Sequence, residues 1–205
     1  TLLNCCAVGD KVNELIIGDR QVALARHLIA LGADVNIAAR AESGIAGVSG
    51  SGFAPMHEIC QRTSGYLAVL EMMSLLIGAG ANVNATNWNG KTPLCLAILY
   101  PSELRTTIIT ELLRAGASLD ACGGDETAED IMQRTESVRP NLADNEHWLA
   151  TKRLVAGVRK YGTYKKYMRA PHRDVLAVRG LAQRGKLSTR DPVLHFLARL
   201  GDNGV

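Results

Sequence analysis

The chain has 205 residues, 47% hydrophobic and only 4% aromatic, with a formal net charge of +3 at pH 7. That much apolar material builds a core of one or two domains and argues against disorder, and the scarcity of aromatic rings suits helices packed on small side chains. Every long apolar stretch is broken by charge or glycine before the roughly 20 residues needed to cross a bilayer, so no spanning helix is expected.

In chain order, the first predicted element starts at Thr1-Leu2-Leu3-Asn4-Cys5-Cys6, and breaks at Gly9-Asp10 and Gly18-Asp19 separate it from the next helix. That second helix ends in a nine-residue phrase, Leu28-Ile29-Ala30-Leu31-Gly32-Ala33-Asp34-Val35-Asn36. The phrase recurs as Leu76-Ile77-Gly78-Ala79-Gly80-Ala81-Asn82-Val83-Asn84 and as Leu112-Leu113-Arg114-Ala115-Gly116-Ala117-Ser118-Leu119-Asp120. Two leucine-like residues before Gly-Ala fit the last turn of an amphipathic helix, with the glycine taking the left-handed conformation that ends it. Helices are therefore expected to stop at Gly32, Gly80 and Gly116. Val35, Val83 and Leu119 are expected to re-enter the core, and the closing Asn or Asp to begin a turn.

Helix starts also repeat. Thr92-Pro93-Leu94-Cys95-Leu96-Ala97 follows the turn Asn87-Trp88-Asn89-Gly90, and Ala54-Pro55-Met56-His57-Glu58-Ile59-Cys60 has the same form. Proline is tolerated at the first helical position because its missing N–H has no helical partner there. Thr127-Ala128-Glu129-Asp130 is a degraded copy without the proline. With these two motifs alternating, the chain resembles the ankyrin repeat family, whose signature is Thr-Pro-Leu-His-x-Ala followed by a second helix and Gly-Ala-x-Val-Asn. The resemblance implies an all-α, ankyrin-repeat solenoid of about four irregular helix-turn-helix units with a basic helical C-terminal extension. Gly80 and Gly116 are 36 residues apart, close to a period of roughly 33, whereas Gly32 and Gly80 are 48 apart. The longer interval places an insertion at residues 38–52, where the Gly- and Ser-rich run 41–52 would lengthen a finger-like turn.

Beyond Arg139-Pro140-Asn141 the chain changes character, and the domain boundary is expected there: residues 1–139 as the repeat domain, 140–205 as the basic extension. Residues 1–150 carry 10 Lys and Arg against 17 Asp and Glu, a net of −7, while residues 151–205 carry 13 against 3, a net of +10. From Asp144 a helical pattern runs through Trp148, Leu149, Leu154, Val155 and Val158, as a fourth unit's second helix or a cap. A basic patch follows, formed by Arg159, Lys160, Tyr164, Lys165, Lys166, Arg169 and Arg173. Its interleaved tyrosines leave three readings open: packing with a solvated cationic side, an acidic protein surface, or RNA and other anionic surfaces. Pro171 is expected to open a short helix that breaks at Gly185, and Ser188-Thr189-Arg190-Asp191-Pro192 to cap another containing Leu194, Phe196 and Leu197. A helical pair after repeats is weakly similar to the SOCS box, by which some ankyrin proteins join ubiquitin ligases. That box resembles Leu-x-x-x-Cys in its first helix, whereas Gly180 lies four positions after Leu176.

Catalytic chemistry is sparse. The five histidines lack ligands at metal spacing, and the Gly44 to Gly52 run lacks the Gly-Lys-Ser/Thr of a phosphate loop. His57 stands at the histidine of the ankyrin signature, which the family uses structurally to link neighbouring turns. No cofactor, metal or catalytic residue is therefore expected. Five cysteines without a Cys-x-x-Cys pair read as reduced, buried thiols of an intracellular protein, cytoplasmic or nuclear. The absence of an initiating methionine leaves import into an organelle open. The resemblance implies partner binding through finger tips, which maps onto Thr86, Asn87, Trp88 and Asn89, with Arg40 and Asp125 on the equivalent turns. The expected function is a non-enzymatic protein–protein interaction module, scaffold or structural subunit. The alternatives are a ubiquitin-ligase substrate adaptor and an RNA or anionic-surface binder.

Overall fold

The computed structural model describes residues 2–8, 18–38, 52–62, 64–122 and 125–183. Among them the regular structure is helical: α1 (Leu2–Val8), α2 (Asp19–Ala30), α3 (Pro55–Cys60), α4 (Tyr66–Gly78), α5 (Pro93–Ile98), α6 (Glu103–Arg114), α7 (Ala128–Val138), a 3-10 turn (Pro140–Asp144), α8 (Glu146–Tyr161) and α9 (Tyr164–Gln183). The chain is all-α. Its contacts fall into two compact units, Thr1–Ala156 and Gly157–Val205, a division within α8. The insertion expected at 38–52 lies largely outside the described residues, as do Arg40 and the helix expected after Ser188.

In the first unit helices pair along the chain, α1 with α2, α3 with α4, and α5 with α6. The leading helices stack in the order α1, α3, α5, α7, and α2 packs on α4. The Thr106 hydroxyl of α6 approaches Thr151 of α8 to 3.4 Å, and Lys152 of α8 pairs with Glu136 of α7 at 2.9 Å. The helix starts follow the sequence motif: Pro93 stands at the first turn of α5, where the Thr92 hydroxyl accepts the Cys95 N–H at 3.4 Å. In α7 the exchange is mutual, with Thr127 Oγ1 accepting from Asp130 N–H and Asp130 Oδ2 accepting from Thr127 N–H. Ser102 caps α6 as Thr92 caps α5, its hydroxyl accepting the Arg105 N–H at 3.2 Å.

The repeated phrase is explained atom by atom at the helix ends. Gly32, Gly80 and Gly116 take φ of 85°, 86° and 95°, a region that a side chain would strain. Each glycine N–H bonds back to Ile29, Ile77 or Leu113, and the following alanine N–H bonds to the carbonyl of Leu28, Leu76 or Leu112. These are the paired bonds that satisfy the last helical carbonyls. Next, Asp34 and Asn82 accept the N–H two residues on, from Asn36 and Asn84, and Ser118 does the same for Asp120. Val35, Val83 and Leu119 then return to the core as expected.

The closing asparagine does more than begin a turn. Asn36 donates through Nδ2 to Gly80 O at 3.2 Å and accepts the Asn82 N–H at 2.7 Å. Asn84 repeats both bonds one unit later, to Gly116 O at 3.2 Å and from Ser118 N–H at 2.8 Å. The same joint closes intervals of 48 and 36 residues, so the extra residues of the first interval leave the stacking step unchanged.

Two further staples tie the units together. His57, fully buried, accepts the Ala54 N–H at Nδ1, so Nε2 carries the proton and donates to Lys91 O at 3.1 Å. Burial lowers its pKa. Arg105 of α6, 2% exposed, donates Nε to Arg62 O, Nη1 to Leu96 O and Nη2 to Gln61 O, collecting carbonyls at the end of α3 and within α5. At the histidine position of the next unit stands Cys95, which is hydrogen-bonded to the Cys122 thiol, while Thr92 N–H donates to Cys122 O at 3.2 Å. Four cysteines are buried and Cys5 is exposed; burial pushes the Cys60 thiol up to about 12.

In the second unit, Gly162 at φ 81° turns the chain from the end of α8 into α9. Tyr167 lies on bare Gly157, where an added Cβ would come within 2.3 Å of the ring. Pro171 does not open a helix, contrary to the sequence expectation, but sits inside α9. Proline fits a first turn and a tolerated interior site alike by local pattern. Here the lost N–H and the crowding of the Tyr167 carbonyl fall on a turn where Pro171 is exposed, and the helix continues to Gln183. By contrast, α7 ends at Val138, as the rule for residues preceding Pro140 requires.

Candidate functional site

The turn at residues 85–92 is short and held from within. Asn87 N–H donates to Lys91 O at 3.0 Å, and Gly90 N–H to Asn87 O at 2.9 Å. The buried Asn87 side chain accepts both the Asn89 and the Lys91 N–H at 2.9 Å. Asn87 therefore spends its acceptor on shaping the turn. Thr86 and Asn89 flank it with exposed side chains.

Trp88 projects from this frame with 60% of its surface exposed. It is nonetheless seated: a Cβ built on Gly52 would fall 2.4 Å from Trp88 Cδ1, so the indole rests on a backbone face that only glycine offers. Gly52 also has φ 69°, a second demand for glycine. One edge of the indole is thus fixed while the rest faces outward. Asp125 is exposed on the following turn, whose Cys122 N–H to Glu126 O bond at 3.1 Å mirrors the first turn's closure. Nothing in the sequence marks the pairing of Gly52 with Trp88, which joins residues 36 positions apart across a whole unit.

In the second unit Arg159, Lys160, Lys165, Lys166, Arg169 and Arg173 are exposed, whereas Tyr164 is buried at 9%. The tyrosine rings gather, with centroids of Tyr161 and Tyr164 lying 6.2 and 6.3 Å from Tyr167. Packing accounts for the interleaved aromatics, and the cations are left on the outside.

Residues 51–88 match the family model for the ankyrin repeat. The chain carries an ankyrin repeat. The matched stretch spans α3, α4 and the turn up to Trp88, so the repeat includes both His57 and the indole. An ankyrin repeat is a module for binding other proteins, and the chain is assigned that coarse function. No curated protein matches the chain. Among the described residues there is no cluster of three or more His, Cys, Asp or Glu that would hold a metal ion, and no helix is long and apolar enough to cross a membrane.

Proposed function

We propose that this chain is a non-enzymatic scaffold or structural subunit that binds a partner protein through its finger tips, with Trp88 as the anchor. The observation that carries the reading is the combination of exposure and fixation at Trp88. A large ring held in one orientation loses little entropy on binding and presents apolar area at a polar turn, the profile of an interface hot spot. Thr86 and Asn89 would form its polar rim, with Asp125 contributed by the following turn. In this reading residues 1–139 form the repeat domain and 140–205 an extension, and the buried, unpaired thiols suit an intracellular setting.

The test is quantitative affinity purification of the tagged chain and its Trp88→Ala variant from the cells of origin, with melting temperatures measured in parallel. Loss of a defined set of proteins, with the melting temperature nearly unchanged, supports the reading. A large drop in melting temperature with the same proteins retained would refute it.

A further inference from the structure

We propose that the second unit carries a binding site for a compact ligand bearing several phosphoryl groups, in a cavity independent of the finger surface. The cavity holds about 420 Å3 and is lined by Lys160, Tyr161, Lys166, Arg169, Ala170 and Arg173. Four of its six lining residues are cations and none is acidic.

The arrangement follows from helical spacing. Lys166, Arg169 and Arg173 lie three and four residues apart, on one face of α9, and the turn at Gly162 brings Lys160 from the end of α8 to the same cavity. Like charges at this spacing oppose helix formation, and Lys165 and Lys166 stand in the first turn of α9, where the helix dipole disfavours cations. Several exposed cations of the first unit are paired: Arg26 with Glu71 at 2.7 Å, Arg134 with Glu126 at 2.9 Å and Lys152 with Glu136 at 2.9 Å. Among the described residues no ion pair neutralises Lys166, Arg169 or Arg173, and Lys160 lies 5.3 Å from the centroid of the Tyr161 ring, a cation–π contact. Residues 157–183 contain seven Lys and Arg against a single acid, Asp174, which does not line the cavity. A ligand with clustered phosphates relieves all of these repulsions at once, and the two arginines match phosphate oxygens in bidentate geometry. Convergence on one cavity, with the tyrosines packed on one another, favours a compact polyanion over an extended single strand, which needs a track of cations and free rings.

The test is calorimetric titration of the full chain with inositol hexakisphosphate as probe, alongside vesicles containing phosphatidylinositol bisphosphate and phosphatidylserine vesicles of matched charge. Saturable binding of the soluble probe, weakened about tenfold or more in Lys166→Glu/Arg169→Glu, is expected. Lys165→Glu, exposed but outside the lining, and Trp88→Ala should change it less than about twofold. Preference for the bisphosphate vesicles over phosphatidylserine would identify a lipid headgroup as the source of the phosphates, and binding of the soluble probe alone a free ligand. Absence of saturable binding, equal weakening by Lys165→Glu, or tighter binding of a single-stranded RNA oligonucleotide would overturn the proposal. Circular dichroism of each variant separates loss of binding from loss of fold.

Discussion

Glu58 sits on α3 with 3% exposure beside Arg62 at 3.5 Å, and among the described residues its Oε1 has no hydrogen-bond partner. Burial pushes its carboxyl from 4.5 up to about 7, with Arg62 pulling the other way. The folded state therefore holds this proton more tightly than the unfolded chain does, and stability falls as pH rises from 4.5 to 7. At about 1.4 kcal/mol per pH unit the loss is on the order of 3 kcal/mol. His57 acts in the opposite sense: its lowered pKa favours the fold above 6.5 and withdraws that support as pH falls below it. Comparison with Glu58→Gln isolates the carboxyl. The variant should be more stable than the parent at pH 8, with a gap that closes towards pH 4.5, by urea denaturation at several pH values. A gap independent of pH would contradict this account. Arg105 gives a second prediction, since its planar fork reaches three carbonyls from three separate nitrogens, a spread that the single nitrogen of a lysine does not match. Arg105→Lys should cost about 2–4 kcal/mol in the same assay, and a cost below about 0.5 kcal/mol would mean that the carbonyls find water instead.

At the scale of the elements, the helix stops and starts were legible because each is decided by a few adjacent residues. Gly32, Gly80 and Gly116 announce a left-handed end, and Pro93 behind Thr92 announces a start. Of what joins one unit to the next, only His57 was legible, through the resemblance. The bonds of Asn36 and Asn84 run to residues 44 and 32 positions away, and Arg105 reaches carbonyls 43 and 44 positions back, distances over which no local pattern operates. Pro171 failed for the opposite reason, because one local signal fits two positions in a helix. The stacked arrangement makes its own prediction at Leu113, 4% exposed on α6. Leu113→Ala should cost about 2–5 kcal/mol, the range for opening a core cavity. An unchanged thermal melt would contradict the packing assigned to this helix.

Over the whole molecule, the repeat character and the charge segregation were plain in the residues themselves, whereas the candidate surface was only half visible. Trp88 stood out as tryptophan at a polar turn, yet its seat on Gly52 and the inward role of Asn87 emerge only from the fold. The acidic first half and the cationic cavity of the second unit offer two surfaces of different chemistry, one anchored by an aromatic ring and one by convergent charge. Binding of another protein at the finger carrying Trp88 is the core of the proposed function. It is tested most directly by placing a photo-cross-linking side chain at Asn89, and for comparison at Leu67 on α4, 81% exposed, in the cells of origin. A discrete cross-linked protein is expected from position 89 and none from position 67, with the product lost when Trp88→Ala is added. Cross-linking from position 67 alone, or from both with Trp88→Ala without effect, would contradict it.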